Sequence, residues 1–222
     1  MAIFRSHVLI CGGTGCTSNK SQLVRKRFEE KIKEVELDKE VQVVGTGCFG
    51  LCEEGPIVIV YPEGSFYSKM TVEKVDEIVD EHLLKGRIVE KYLFKEKAKV
   101  EHAEEHKSLM EVQFYSKQKR VALRNCGLIN PEDINEYIAR DGYTALGKVL
   151  TEMTPEDVIQ LMKEANLRGR GGAGFPAGVK WSFAAPNKAD QKYIICNADE
   201  GDPGAFMDRS VLEGDPHAVL EA

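Results

Sequence analysis

Two short cysteine pairs constrain this chain more than any other feature. Cys11-x4-Cys16 is followed, after thirty-one residues, by Cys48-x3-Cys52. Each pair sits in a glycine-rich loop, CGGTGC and GTGCFGLC. Each loop directly follows a run that reads as a strand, SHVLIC over 6–11 and VQVV over 41–44. If those strands are neighbours in one sheet, both loops leave at the same end, and four thiolates can meet at one metal centre. The glycines permit the φ > 0 turns that wrap a cluster. They also let backbone N–H groups approach the sulfurs, where hydrogen bonds tune a redox potential. An iron–sulfur cluster is one reading. Structural zinc is another, although its usual ribbons and knuckles suit an x4 and an x3 pair on separate strand ends less well. Disulfides are disfavoured by compartment. The N-terminus, MAIFRSHVLICGG, lacks the cleavage site of a secretory signal, and no apolar run approaches the ~18 residues that span a bilayer. A cytoplasmic chain is expected, and there cysteines serve as ligands or core thiols.

Around the pairs, the pattern predicts a small α/β domain over residues 1–85. A helix capped at Ser18 carries Leu23, Phe28, Ile32 and Val35 on one face. Strands follow at Ile57–Val60 and near Phe66 and Tyr67, then a helix from Thr71 with Val72, Val75, Ile78, Val79 and Leu83 on one side. This order, β-α-β, then a β-hairpin, then a helix, is a thioredoxin-like pattern. Residues 86–112 balance six Lys/Arg against six Asp/Glu with few apolar anchors, and read as a charged connector. Residues 113–222 form a second region. Helices are predicted from Pro131 through Ile138, after Asn130, and from Pro155 to Leu167, after Thr154. A buried strand is predicted at Lys192–Cys196. The net charge of −6 argues against nucleic acid as a partner.

Two motifs in the second region carry candidate chemistry. Gly169-Arg170-Gly171-Gly172-Ala173-Gly174 satisfies G-x-G-x-x-G, but it follows a predicted helix rather than a strand, and GK[ST] is missing. What remains is bare backbone that can lie against a flat or anionic ligand. Arg170 and Lys180 offer positive charge to a phosphate, and Phe175, Trp181 and Phe183 offer stacking surface. A tight loop packed on neighbouring helices is the alternative. Asn197-Ala198-Asp199-Glu200-Gly201-Asp202-Pro203-Gly204 comes just after the predicted strand. Ligands in open α/β sheets bind beyond the carboxyl ends of strands. Asn197 both donates and accepts, and Asp199 and Glu200 can accept from sugar hydroxyls or a ring N–H. A solvated acidic turn reads equally well on this segment alone.

CGGTGC followed by GCFGLCEEGPIVIVYPEG resembles the thioredoxin-like 2Fe–2S ferredoxins. That resemblance implies one 2Fe–2S cluster on Cys11, Cys16, Cys48 and Cys52. LRGRGGAGFPAGVKW followed by CNADEGDPGAFMDR resembles the FMN-binding segment of the complex I flavoprotein subunit and of the flavin subunits of NAD(P)-linked hydrogenases and formate dehydrogenases. It implies a Rossmann-like FMN-binding α/β domain, with FMN held by Gly169, Gly171, Gly172, Lys180, Asn197, Asp199 and Glu200. It also implies dinucleotide stacking on Phe175 and Phe183, with Glu200 and Asp202 near the nicotinamide of NAD(H) or NADP(H). The fused order is similar to the flavin subunit of soluble NAD(P)-linked iron hydrogenases. The expected partners are the other subunits of such a complex, its iron–sulfur or hydrogenase subunit and its small 2Fe–2S subunit. Members continue with further flavin contacts, a ubiquitin-like domain and a 4Fe–4S site, so the chain is expected to be C-terminally truncated.

Other features carry less. His102-Ala-Glu-Glu105-His106 matches a zinc-protease signature, H-x-x-E-H, but lies in the charged connector without apolar walls and reads as chance. Cys126 and Cys196 are expected to be core thiols. His217 is assigned no role. No catalytic side chain is expected, since hydride transfer belongs to the cofactors.

Overall fold

The computed structural model describes residues 4–95 and 112–222 of the 222-residue chain. The His102–His106 motif lies outside the described residues. Two compact units form. One runs up to Tyr137 and includes Glu200–Val219; the other comprises Ile138–Asp199 and Leu220–Ala222.

In the first unit, β1 (Ser6–Cys11) leads through α1 (Thr14–Ser18) and α2 (Ser21–Glu34) to β2 (Val41–Thr46). β3 (Val58–Tyr61) and β4 (Ser65–Tyr67) form a hairpin. α3 (Val72–Glu77) follows and widens into a π-helical stretch, Ile78–Leu83. The sheet order is β2-β1-β3-β4, with β1 parallel to β2 and antiparallel to β3. The crossover through α2 is what a parallel β1/β2 pair requires, since a tight turn can join only antiparallel neighbours. Successive strand residues point to opposite faces. Val8 and Ile10 of β1 therefore join Val24, Phe28, Ile32, Val75 and Ile78 in one apolar layer. Leu9 and Cys11 join Val44, Phe49, Ile57, Ile59 and Phe66 in the other. The alternation of SHVLIC thus delivers Cys11 to the second layer, beside Cys16. One expectation fails here. The second helix does not begin at Ser18, which ends α1. The chain breaks at Lys20 (φ 68°) and restarts at Ser21. That break sets the buried stripe at Val24, Phe28 and Ile32, while Leu23 is 52% exposed.

Further along the chain, α4 (Gln113–Ser116) and α5 (Ile134–Ile138) precede α6 (Thr144–Glu152), α7 (Pro155–Glu164) and α8 (Ala177–Ala184). α9 (Met207–Gly214) and α10 (Pro216–Glu221) follow. α7 begins where Thr154 and Pro155 predict. The Thr154 hydroxyl accepts from the Asp157 N–H, and the Asp157 carboxylate accepts from the Thr154 N–H. α5 starts at Ile134 rather than Pro131, because Asn130 and then Asp133 hold side-chain-capped turns, accepting from the Glu132 and Asn135 N–H groups. The strand expected at Lys192–Cys196 does not form. Tyr193, Ile194 and Ile195 are 81%, 102% and 86% exposed. Strand propensity needs a neighbour to supply ladder hydrogen bonds and an apolar face, and among the described residues no strand pairs with this segment. Cys196 is correspondingly exposed rather than a core thiol, while Cys126 is buried.

Candidate metal and flavin sites

The two cysteine loops do leave the same end of the sheet. The Gly12 N–H donates to the Thr46 carbonyl at 2.8 Å, and the Cys11 N–H to the Ile57 carbonyl at 3.1 Å. The ends of β1 and β2 and the start of the hairpin are thereby tied together. Cys16 is brought back over Cys11 by α1, which the Thr17 hydroxyl anchors by donating to the Gly12 carbonyl at 3.0 Å. Cys48 follows β2, and Cys52 opens a 3-10 turn, Cys52–Glu54. The four thiols form one connected row. Cys11 touches both Cys16 and Cys48, and Cys48 touches Cys52. The Gly50 N–H donates to the Cys48 sulfur at 3.3 Å. The row runs from the interior outward, with Cys11 and Cys16 1% and 2% exposed, Cys48 half-buried and Cys52 exposed.

The electrostatics follow from this crowding. The hydrogen bond from Cys11 lowers the pKa of Cys16. Cys11 itself is pushed up to about 11, first by that bond and then by burial. Cys48 is raised by its bond to Cys11 and by burial, and Cys52 by burial. Left to themselves, the sulfurs resist carrying four negative charges together. Metal cations remove that resistance, because thiolate ligation trades protons for metal charge. The glycines leave the room for it. A Cβ placed on Gly13 would stand 2.8 Å from the Cys48 sulfur, on Gly15 3.2 Å from that of Cys52, and on Gly55 2.7 Å from that of Cys16. Among the described residues no group of three or more His, Cys, Asp or Glu side chains stands ready to hold a metal ion as placed. Four cysteine thiolates are also the number of protein ligands that a binuclear iron–sulfur cluster takes.

Beside the row opens a cavity of about 360 Å³, lined by Thr14, Cys48, Cys52, Phe206, Arg209 and Glu213 among others. Its far wall is α9. This helix is fixed to the cysteine end of the unit by buried polar contacts. Asn125 donates to Asp215 at 2.8 Å, the Cys126 thiol to the Ser210 carbonyl at 3.6 Å, and the Gly127 N–H to the Thr46 hydroxyl at 3.1 Å. Sequence reasoning did not find Thr14, Arg209 or the 125–127 loop. Only the adjacency of Thr14 to Cys11 and Cys16 gave a signal.

The flavin candidates are placed differently. Gly169, Arg170, Gly171 and Gly172 form an exposed loop closed by two hydrogen bonds, from the Gly169 N–H to the Phe175 carbonyl at 2.9 Å and from the Ala177 N–H to the Leu167 carbonyl at 2.8 Å. Gly172 (φ 102°) and Gly174 (φ 61°) take left-handed conformations that favour glycine. Lys180 and Phe183 lie on α8, and Phe175 and Phe183 are 48% and 68% exposed. Asn197 turns its side-chain oxygen back to the Asp199 N–H at 3.3 Å. Those residues belong to the second unit, whereas Glu200 and Asp202 belong to the first. Glu200 is already engaged. Its carboxylate accepts from the backbone N–H groups of Asp208 and Arg209 at 2.7 and 3.0 Å, capping α9. Arg170 and Lys180 carry positive charge and Asn197 and Asp199 hydrogen-bonding groups, and no hydrogen bond or ion pair described for them joins the two sets.

Sequence comparison matches the same two regions to two families. Residues 3–83 match the thioredoxin-like [2Fe-2S] ferredoxins, and residues 162–222 the Nuo51 FMN-binding domain. The chain therefore joins a thioredoxin-like ferredoxin domain to Nuo51 FMN-binding sequence, as the two resemblances implied. Among individual relatives, it is 67% identical over 106 residues to the NADP-reducing hydrogenase subunit HndC of Solidesulfovibrio fructosivorans, covering 48% of this chain and 21% of that one. It is 52% identical over 101 residues to an NADH-quinone oxidoreductase subunit of Rhizobium meliloti, covering 46% and 24%. The crystal structure of the thioredoxin-like [2Fe-2S] ferredoxin from Aquifex aeolicus aligns over 42% of this chain and all of that one, with 34% identity and a TM-score of 0.39. The chain spans about a fifth to a quarter of the length of the curated relatives it matches. Among the described residues no helix is long and apolar enough to cross a membrane.

Proposed function

We propose that this chain is the iron–sulfur and flavin part of an NAD(P)-linked oxidoreductase, of the kind found in soluble hydrogenase complexes. One observation carries the reading. The cysteines meet as a connected row at one end of a thioredoxin-like sheet, in a chain whose other end is FMN-binding sequence. In this reading, Cys11, Cys16, Cys48 and Cys52 hold a 2Fe–2S cluster. Residues 1–85 serve as the ferredoxin domain, 86–112 as the connector, and 113–222 as part of the flavin domain. Gly169, Arg170, Gly171, Gly172, Lys180, Asn197 and Asp199 bind FMN, while Phe175 and Phe183 stack the dinucleotide. Glu200 and Asp202 sit by the nicotinamide, and Glu200 then does so by releasing or sharing its cap on α9. When bound, FMN supplies the exchange between two-electron hydride chemistry and one-electron carriers. The chain's own residues orient the flavin, hold its phosphate and keep the thiolates gathered. The partners are the remaining subunits of a cytoplasmic hydrogenase complex.

Purified protein analysed for metal, acid-labile sulfide and flavin tests the reading. Iron and sulfide in equal amounts, with FMN and a rhombic EPR signal after reduction, are expected. Zinc in place of iron would overturn it. Iron without flavin would favour a carrier in which only the ferredoxin domain works, a second reading supported by the exposure of the flavin candidates in their own unit. The flavin subunits of formate dehydrogenases and NADH-quinone oxidoreductases share this donor set, and the co-purifying subunits distinguish them.

A further inference from the structure

α9 brings two opposite charges to the mouth of the cysteine row. Arg209 donates from Nη1 to the Thr14 hydroxyl at 2.8 Å, and from Nε to the Glu213 carboxylate at 2.7 Å. Thr14 opens α1 between Cys11 and Cys16, flanked by Gly13 and Gly15, whose own neighbours are Cys48 and Cys52. Arg209 and Glu213 both line the cavity onto which Cys48 and Cys52 open. The helix that carries them is held in place by the buried Asn125–Asp215 and Cys126–Ser210 contacts, so the pair is fixed with respect to the thiols.

We propose that Arg209 and Glu213 set the reduction potential of the group bound by the four cysteines, Arg209 raising it and Glu213 lowering it. This rests on the cysteine reading above. Reduction adds one electron, taken from the titrant, and makes the group one charge more negative. A fixed cation nearby favours the reduced form, and a fixed anion disfavours it. The guanidinium is directed at the cysteine loop through Thr14, while the Glu213 carboxylate is directed at the guanidinium, so removal of either charge leaves the other uncompensated. Both side chains are partly exposed, 48% and 38%, and salt therefore weakens the effect. Neither residue needs to touch the cluster; each acts through the field at the loop.

Potentiometric titration of the whole chain with dithionite and mediators, followed by EPR and visible absorbance, tests this. Arg209→Gln is expected to shift the midpoint to more negative values. Glu213→Gln is expected to shift it to more positive ones, and Arg209→Lys to restore it most of the way. Each shift amounts to at most a roughly tenfold change in the reduced-to-oxidised ratio at fixed potential, ~59 mV for one electron, and shrinks as salt is raised. A merely structural role would move both variants in the same direction or move neither, and either result, with iron retained, overturns the proposal alone. Should Arg209→Gln lose its iron, the upward shift of Glu213→Gln decides, and its absence overturns the proposal. Wild-type protein that binds no iron overturns the cysteine reading together with this inference.

Discussion

Gly13 shows how little tolerance the cysteine end has. A methyl group there would stand 2.8 Å from both the Cβ and the sulfur of Cys48, and Cys48 is itself half-buried. Gly13→Ala is expected to cost about 1–3 kcal/mol, as overpacking does, and to lower iron content in purified protein more than it lowers the unfolding midpoint. Metal analysis beside a denaturant titration checks this. The four cysteines were legible in the sequence because their spacing and their glycines are local and chemical. Arg209 was not, because its contact with Thr14 joins residues 195 apart in the chain. Nothing in the DR dipeptide at 208–209 announces which loop it will meet.

At the scale of elements, the four strands of the sheet were read well, since alternation and apolar runs report burial directly, while Lys192–Cys196 was misread for want of a described neighbour. Helix starts were read well where a threonine stands at the N-cap, Thr71 before α3 and Thr154 before α7. Thr154 and Asp157 satisfy each other's backbone groups at the start of α7. Thr154→Ala is expected to destabilise the second unit by about 1 kcal/mol, visible as a lower midpoint for a helical signal from that unit. Ser18 failed as a start because the backbone at Lys20, with φ 68°, makes the break without any side-chain cap. Between β4 and α3, Tyr67 and His82 form a buried pair, hydroxyl to Nδ1 at 2.8 Å. The Val89 N–H donates to the same hydroxyl at 3.3 Å, which leaves the hydroxyl proton available to Nδ1 of a neutral ring. Burial pushes His82 below its ordinary 6.5, against a weaker opposing pull from Glu63. The folded state thus resists protonation that the unfolded chain accepts. Stability present above pH 6.5 is lost as the pH falls through the lowered value. Denaturant midpoints measured from pH 7.5 to 5 are expected to fall in wild type, and His82→Gln is expected to flatten that limb. An unchanged slope in the variant would assign it to other groups.

For the whole molecule, the ferredoxin half was legible and the flavin half only through its motifs. The reason is visible in one segment. Lys192–Cys196 has the composition of a buried strand, yet its apolar side chains stand in water because no described strand lies beside it. A run of low charge, high β-propensity and full exposure templates association between copies. The chain is expected to bind a hydrophobic dye and to self-associate with rising concentration. Ile194→Thr with Ile195→Thr is expected to reduce both, read by dye fluorescence and light scattering, with the visible absorbance of the cysteine site unchanged.

The outward slope of the cysteine row, from Cys11 at 1% exposure to an exposed Cys52, gives the site a direction. Reagents reach it from one end. In metal-free protein, an alkylating agent is expected to modify Cys52 long before Cys11 or Cys16, with exposed Cys196 as an internal reference of unhindered rate. Peptide mass mapping over time reads that order. Under the proposed function, metal reaches the inner pair past the outer one. An oxidant that takes the same route meets Cys52 first.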